Sequence, residues 1–357
     1  MKKILFATSE CVPFIKTGGL ADVAGSLPKY FDKEKYDVRV MLPKYMCMKD
    51  EWKQKLQYRT HFYMDLCWRK QYVGILELEY EGITFYFIDN EFYFNGMAPY
   101  GDMYADIEKF AFFSKAVLSA LPLLDFRPDI IHCHDWQTGL IPVYLDNFRY
   151  GNEYFRGIKT IMTIHNLKFQ GVWDTKRVMD ITGLPKYYFA PDKLEAYKDA
   201  NYLKGGIVYA DRVTTVSNSY AEEIKMPFYG EGLDGLMNAR SNCLSGIVNG
   251  IDYGMWNPAT DPALERKKVP SFYDGYKEIP LLFDYNENSR ALGLADMCKA
   301  LRTGRDHRAN YQQQRHVLEI MTSFSKSCQQ GEYIALESGY TRTAPMKNNP
   351  MHGVLDD

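Results

Sequence analysis

Several apolar runs, each closing on small, polar or histidine residues, constrain what this chain can fold into. They are Lys3–Thr8, Val38–Pro43, Asp129–Asp135, Thr160–Asn166, Arg212–Ser217 and Ser245–Ile251. They are short, rich in Ile, Val and Thr, and most do not alternate. That pattern belongs to strands buried on both faces. Helical stretches lie between most of them: Leu20–Phe31, Ala105–Leu124, Gly139–Asn147, Tyr202–Ala210 and Asn218–Lys225. Alternating strands and helices predict an α/β, doubly wound, mainly parallel Rossmann-like sheet. One segment differs. Leu76, Leu78 and Tyr80 alternate with Glu77, Glu79 and Glu81, and Glu81-Gly82 leads into Ile83–Ile88. This predicts a β-hairpin with one wet face, added to the sheet or its edge.

The pattern changes near residue 257. Asn257-Pro258, Asp261-Pro262 and the basic run Arg266-Lys267-Lys268 follow, and Arg302–His316 is polar with no apolar period. The expected organisation is one α/β domain over 1–256, a linker and the start of a second domain over 257–294, and an irregular, poorly specified tail over 295–357. The chain has 357 residues, 46% hydrophobic and 25% charged, which suits a globular protein. A net charge of −2 gives a nucleic-acid partner no support. Seven cysteines, an odd number without a C-x-x-C pair, read as reduced thiols in a cytoplasmic protein. The first strand begins almost at once, leaving no room for a signal peptide. The most apolar helix, Phe110–Leu124, is too short to span a membrane.

Ligands of open α/β sheets bind at the carboxyl ends of the strands. The residues expected there are Ser9, Glu10 and the Lys16–Gly19 loop after the first strand, and His132, His134 and Asp135 on the Asp129 strand. His165 and Asn166 close the Thr160 strand, and Asn249, Gly250 and Asp252 belong to the Ser245 strand. A loop over 96–106 adds Tyr100 and Asp102. The loop Lys16-Thr17-Gly18-Gly19 between strand and helix has anion-binding chemistry. Glycines let backbone N–H groups approach a bound group, a helix start is partially positive, and the lysine adds a full charge. Plainer readings remain open. Gly18-Gly19 can be an ordinary β–α turn, His132 a structural core residue, and His134-Asp135 a capping pair for the next helix. No G-x-x-x-x-G-K-[ST] or Asp-x-Asp occurs. A lysine-assisted diphosphate site without metal fits these absences better than a P-loop or a metal clamp.

The run Ser9-Glu10-Cys11-Val12-Pro13-Phe14-Ile15-Lys16-Thr17-Gly18-Gly19-Leu20-Ala21-Asp22-Val23 closely resembles the N-terminal signature of bacterial glycogen synthases and plant starch synthases. Later blocks agree in order and spacing: Glu108–Phe113, His132–Gly139, Thr163–Leu167, Thr214–Ser217 and Gly246–Asp252 with Trp256-Asn257-Pro258. The resemblance runs to about residue 262, with a weaker echo over Asn288–Leu294. It implies the N-terminal half of a two-domain GT-B glycosyltransferase that transfers glucose from ADP-glucose to the non-reducing end of an α-1,4-glucan, with retention and with no metal or cofactor in the transfer. It implies a catalytic group of Glu10, Asp135 and His165. The implied substrate-binding residues are Lys16, Gly18, Gly19, Asp22, Tyr100, Asn166 and Asn249. Lys16, Gly18 and Gly19 would meet the donor's diphosphate and glucose. His165 would touch the transferring sugar through its backbone carbonyl and is not read as a general base. The family's second domain normally adds an arginine–lysine pair and a Glu-x₇-Glu motif, and neither occurs in 257–357. The expectation is therefore a truncated or frame-shifted enzyme, inactive alone. The alternative is a non-catalytic α-glucan-binding module of the same descent.

Overall fold

The computed structural model describes residues 1–250, 300–306 and 310–341. The chain divides into two compact units, Met1–Ile251 and Asp252–Asp357.

The first unit holds twelve strands among its described residues. They are β1 (Lys2–Ala7), β2 (Tyr36–Pro43), β3 (Gln57–Leu66), β4 (Arg69–Tyr80), β5 (Ile83–Asp89), β6 (Ile130–His134), β7 (Lys159–Ile164), β8 (Val172–Asp174), β9 (Glu195–Ala196), β10 (Asp199–Asn201), β11 (Arg212–Thr215) and β12 (Leu244–Gly246). Nine of them form one sheet, ordered β12-β11-β7-β6-β1-β2-β5-β4-β3. From β12 through β5 every neighbouring pair is parallel. The two steps from β5 through β4 to β3 are antiparallel. The apolar runs form the interior strands because they are covered on both sides: Leu5, Phe6, Ala7, Val40, Met41, Ile131 and Ile164 are fully buried.

The expected α/β class and hairpin are present. The hairpin, however, does not end the sheet: β3 pairs outside β4 and forms the edge. Its first half, Gln57–His61, is polar and mostly exposed, as an edge strand tolerates, so it carries no core pattern. A second, three-stranded sheet, ordered β8-β10-β9, has no counterpart in the sequence pattern, its strands being only two or three residues long.

Helix boundaries follow local chemistry. Helix α1 (Gly19–Ser26) gives way to a tighter 3₁₀ turn, Leu27–Tyr30, at Pro28. The Asn201 side chain accepts from Lys204 N–H and caps the helix Tyr202–Tyr209, and Ser217 Oγ caps Asn218–Glu223 through Tyr220 N–H. The helix Met103–Ala120 buries Phe110, Phe112 and Phe113 completely.

In the second unit the described residues contain a helix, Tyr311–Gln330, capped by Asn310 and stopped at Gly331 with φ 68°. The polar stretch to His316 thus opens a helix whose second half does carry apolar residues at helical spacing, Val317, Leu318, Met321 and Phe324. Leu318, Met321 and Phe324 are more than half exposed. The expected linker over 257–294, its basic run, Asp252 and the Asn288–Leu294 echo lie outside the described residues.

Candidate functional site

Strands β1 and β6 are neighbours, and the chain leaves them toward opposite edges of the sheet. This is the switch point at which an open α/β sheet leaves a crevice beyond its carboxyl ends. Ser9 and Glu10 follow β1, Asp135 follows β6, and His165 and Asn166 follow β7.

The Lys16–Gly19 loop opens directly into α1. Gly18 is the N-cap residue and supplies no side-chain cap, so the first-turn N–H groups from Gly19 onward have no intrahelical acceptor. Neither glycine is required by the chain's own geometry. Gly18 has an extended backbone, φ −148°, and a Cβ there would meet only Glu10 Oε1, at 3.8 Å. A Cβ at Gly19 would meet nothing within 4 Å. Gly25, one turn of α1 beyond Asp22, is different: a Cβ there would lie 2.4 Å from Val12. Gly25 is small because the core needs it, whereas a Cβ at Gly18 would make only an ordinary contact with Glu10 and Gly19 faces open space.

Glu10 is only 3% exposed, yet it carries a carboxylate. Its Oε2 accepts from Thr17 N–H, from Thr17 Oγ1 at 2.8 Å and from Gly18 N–H at 3.3 Å. Lys16 Nζ sits 2.7 Å from Asp22 Oδ1, one turn into α1. The Tyr100 hydroxyl shares a 2.7 Å hydrogen bond with Ser9 Oγ. Burial first, then the Glu10 charge, push its pKa up, so it remains a protonated donor. The loop that presents it is anchored by a buried ion pair: Lys109 Nζ reaches Asp106 at 2.5 Å and donates to Pro99 O at 2.8 Å, while Gly101 N–H donates to the same Asp106 carboxylate at 2.9 Å.

Asp135 does not cap the turn that follows it, which corrects the capping alternative. Its carboxylate reaches across to β7 and accepts from His165 N–H at 2.7 Å. Burial pushes its pKa up to about 7, against the His165 and Asn166 amides, which favour the charged form, while the Glu10 charge adds to the rise. Three imidazoles line the floor. The His132 and His134 rings stack at 4.2 Å, and His134 Nδ1 lies 3.0 Å from His165 Nε2. Burial holds His132 down at about 3 and His165 at about 4, and drives His134 well below its ordinary value. The histidines are therefore neutral near pH 7, and a single proton is shared between the facing nitrogens of His134 and His165. His132 continues inward through Thr163 to Thr214, each step at 2.6 Å.

Glu10, Lys16, Gly18, Gly19, Asp22, Tyr100, Asp135 and His165 thus come from separate stretches to one rim. Asn166 is beside them and exposed, its side-chain oxygen accepting from Lys168 N–H at 3.0 Å. Asn249 is not on a strand: β12 stops at Gly246, three residues earlier, and Asn249 lies exposed beyond it. Thr17 and His134, both expected at this rim but given no role there, make direct contacts in the site. Thr17 acts through its amide and a short hydroxyl, which no sequence pattern distinguishes from a turn residue. His134 does carry a signal, as a polar side chain ending an apolar run. Among the described residues no group of three or more His, Cys, Asp or Glu is arranged to hold a metal, no helix is long and apolar enough to cross a membrane, and the five cysteines whose state is defined are free thiols.

The family model described as "Starch synthase catalytic domain" matches residues 3–239. Glycogen synthase of Lachnospira eligens is 71% identical over 274 residues, covering 77% of this chain and 56% of that protein. Glycogen synthase of Lachnoclostridium phytofermentans is 70% identical over 266 residues, covering 74% and 56%. Among solved structures, the catalytic domain of starch synthase IV from Arabidopsis thaliana, bound to ADP and acarbose, superposes with a TM-score of 0.64 at 32% identity, covering 73% of this chain and 54% of that one. The mostly parallel sheet is that of a GT-B glycosyltransferase fold. The chain spans about half the length of the curated relatives it matches.

Proposed function

The chain belongs to the starch synthase catalytic domain family, and on that premise we propose that its first unit serves a retaining glucosyltransferase of the glycogen synthase type. The donor is ADP-glucose and the acceptor is the non-reducing end of an α-1,4-glucan. The observation that carries this reading is the open space over Gly19 at the start of α1, next to a Gly18 that no packing requires, beside the β1–β6 crevice. Nothing in the fold needs glycine there, and a bound anion does.

Each residue then has a task. The first-turn N–H groups of α1 and the Lys16 ammonium meet the diphosphate, where negative charge grows as the sugar departs. Stabilising the charge on that leaving group lowers the barrier more than any other interaction such a site can make. The neutral, protonated Tyr100 hydroxyl donates to sugar oxygens. Asp135, poised near neutrality by burial, accepts from a sugar or acceptor hydroxyl and orients it. His165 is locked at its backbone by Asp135 and at its ring by His134, so it positions rather than takes a proton. Asp22, Asn166 and Asn249 complete the sugar-facing rim.

Amide-resolved NMR of the chain during titration with ADP-glucose tests the reading. The amides of Thr17 through Ala21 should shift together and saturate. Saturation elsewhere with those amides unmoved would refute it, and glycogen binding indifferent to nucleotide would instead favour a pure glucan-binding module.

A further inference from the structure

We propose that Glu10 is a displaceable internal anion: it occupies the Thr17–Gly18 donors in the unliganded chain and competes with the donor's diphosphate for them. This rests on the phosphate-loop reading above and adds a step to it. The loop's polar groups are already answered by the chain's own carboxylates. Glu10 Oε2 takes Thr17 N–H, Thr17 Oγ1 and Gly18 N–H, and Asp22 takes the Lys16 ammonium. A diphosphate brings a second anion to the same few ångströms, and Glu10 is too buried for water to screen the repulsion.

Thr17 holds Glu10 closely through its amide and hydroxyl, but the Gly18 hydrogen bond is long, at 3.3 Å, and is the one most readily given up. The neighbouring Lys16–Asp22 pair is part-exposed, with side chains 42% and 28% accessible, so it adds little to keeping the lysine from a ligand. Once released, the carboxylate stays among the rim residues whose own charge state it already influences, Tyr100 and Asp135. Donor binding would thereby turn Glu10 from an amide acceptor into an acceptor for sugar hydroxyls. The phosphate end and the sugar end of the site become one exchange.

Calorimetric titration of the whole chain with inorganic pyrophosphate tests this, comparing wild type with Glu10→Gln. Glutamine keeps an oxygen that can accept from the loop and removes the charge. The expected result is pyrophosphate affinity higher in the variant by about tenfold, the order expected for removing one like charge at such a distance. Equal or weaker binding by a folded variant, with wild type binding normally, overturns the proposal and leaves the phosphate-loop reading standing. No binding by either protein overturns both. Should Glu10→Gln fail to fold, the ¹³C resonance of the Glu10 carboxyl in wild type decides. It must move on saturation with pyrophosphate, and an unmoved resonance refutes displacement.

Discussion

Gly19→Ala separates what the fold needs from what a ligand needs. In the unliganded chain a methyl at this position meets nothing within 4 Å, and Gly19 opens α1 with ordinary helical geometry. Alanine reduces the freedom of the unfolded chain, so the expected stability change is zero to about 1 kcal/mol in the stabilising direction. For a unit of this size that raises the melting temperature by at most about 4 °C. Ligand binding should move the other way. A phosphate oxygen accepting from the Gly19 N–H would sit about 2.9 Å from the nitrogen, in the space the methyl enters. Losing one charge-assisted hydrogen bond costs about 1.5–3 kcal/mol, which weakens pyrophosphate or ADP-glucose binding by about 10- to 150-fold. Thermal unfolding followed by calorimetric titration of the same sample measures both. Gly25→Ala is the internal control: its methyl would lie 2.4 Å from Val12, so it should lose about 1–3 kcal/mol of stability. Two results would refute the reasoning. One is a Gly19→Ala protein that binds like wild type, which would mean that the open space is not the ligand's. The other is a Gly19→Ala protein destabilised as much as Gly25→Ala, which would mean that the glycine serves packing after all.

Glu108 receives Arg69 at 3.2 Å, Arg177 at 2.9 Å and the Tyr93 hydroxyl at 3.0 Å with little exposure. Glu108→Ala should therefore cost about 3–5 kcal/mol in urea unfolding, and a loss under about 1 kcal/mol would contradict that role. His132 and His165 titrate at about 3 and about 4, below their ordinary 6.5. The stability they contribute is complete above pH 6.5 and is lost as pH falls through 4, by up to about 1.4 kcal/mol per pH unit for each imidazole; His165→Gln should flatten that acid limb. Asp135 has the opposite sign. Raised from 3.8 to about 7, it adds stability below its unfolded value that is lost as pH rises through 7, so Asp135→Asn should lose less stability than wild type between about pH 5 and pH 8. Tyr100→Phe keeps the ring against Phe110 and removes the bond to Ser9. It should cost about 0.5–1.5 kcal/mol of stability and weaken maltooligosaccharide binding in titration; unchanged sugar affinity would remove Tyr100 from the site.

The interior of the sheet is legible in the sequence because β1, β6 and β7 are largely buried on both faces and are written mostly in apolar residues without strict alternation. β3 is not, since its outer half faces solvent and polar residues there break no rule. The rim residues Glu10, Asp135 and His165 stand out for the same reason in reverse: each is a polar side chain closing an apolar run, where burial without a partner is costly. What the pattern cannot convey is which partner each one finds. The Asp135 pairing spans thirty residues of sequence to His165 N–H, and only the parallel register of β6 against β7 makes it short. Local grammar reads an aspartate before a helical turn as a cap. Asn249 shows the complementary error. A run of apolar residues from Ser245 suggests a longer strand, but among the described residues β12 pairs with β11 alone and stops at Gly246.

Asp135 gathers the departures from local rules onto one residue. Its backbone has φ 54° and ψ −175°, a region that residues with a side chain avoid and that costs on the order of 1–3 kcal/mol. Its carboxyl is held near neutrality by burial although two amides favour its charge. It also stands at the switch point, between the loop that offers donors to an anion and the histidines that face inward. A glycine would relieve the backbone and an asparagine would relieve the charge, so neither cost is forced by the fold alone. Both are borne at one position because the carboxyl fixes the His165 backbone and faces the crevice at the same time. A strained, incompletely ionised acid at the mouth of a parallel sheet is costly for stability and suited to orienting a hydroxyl, the conjunction expected of a working site rather than of a mere sheet end.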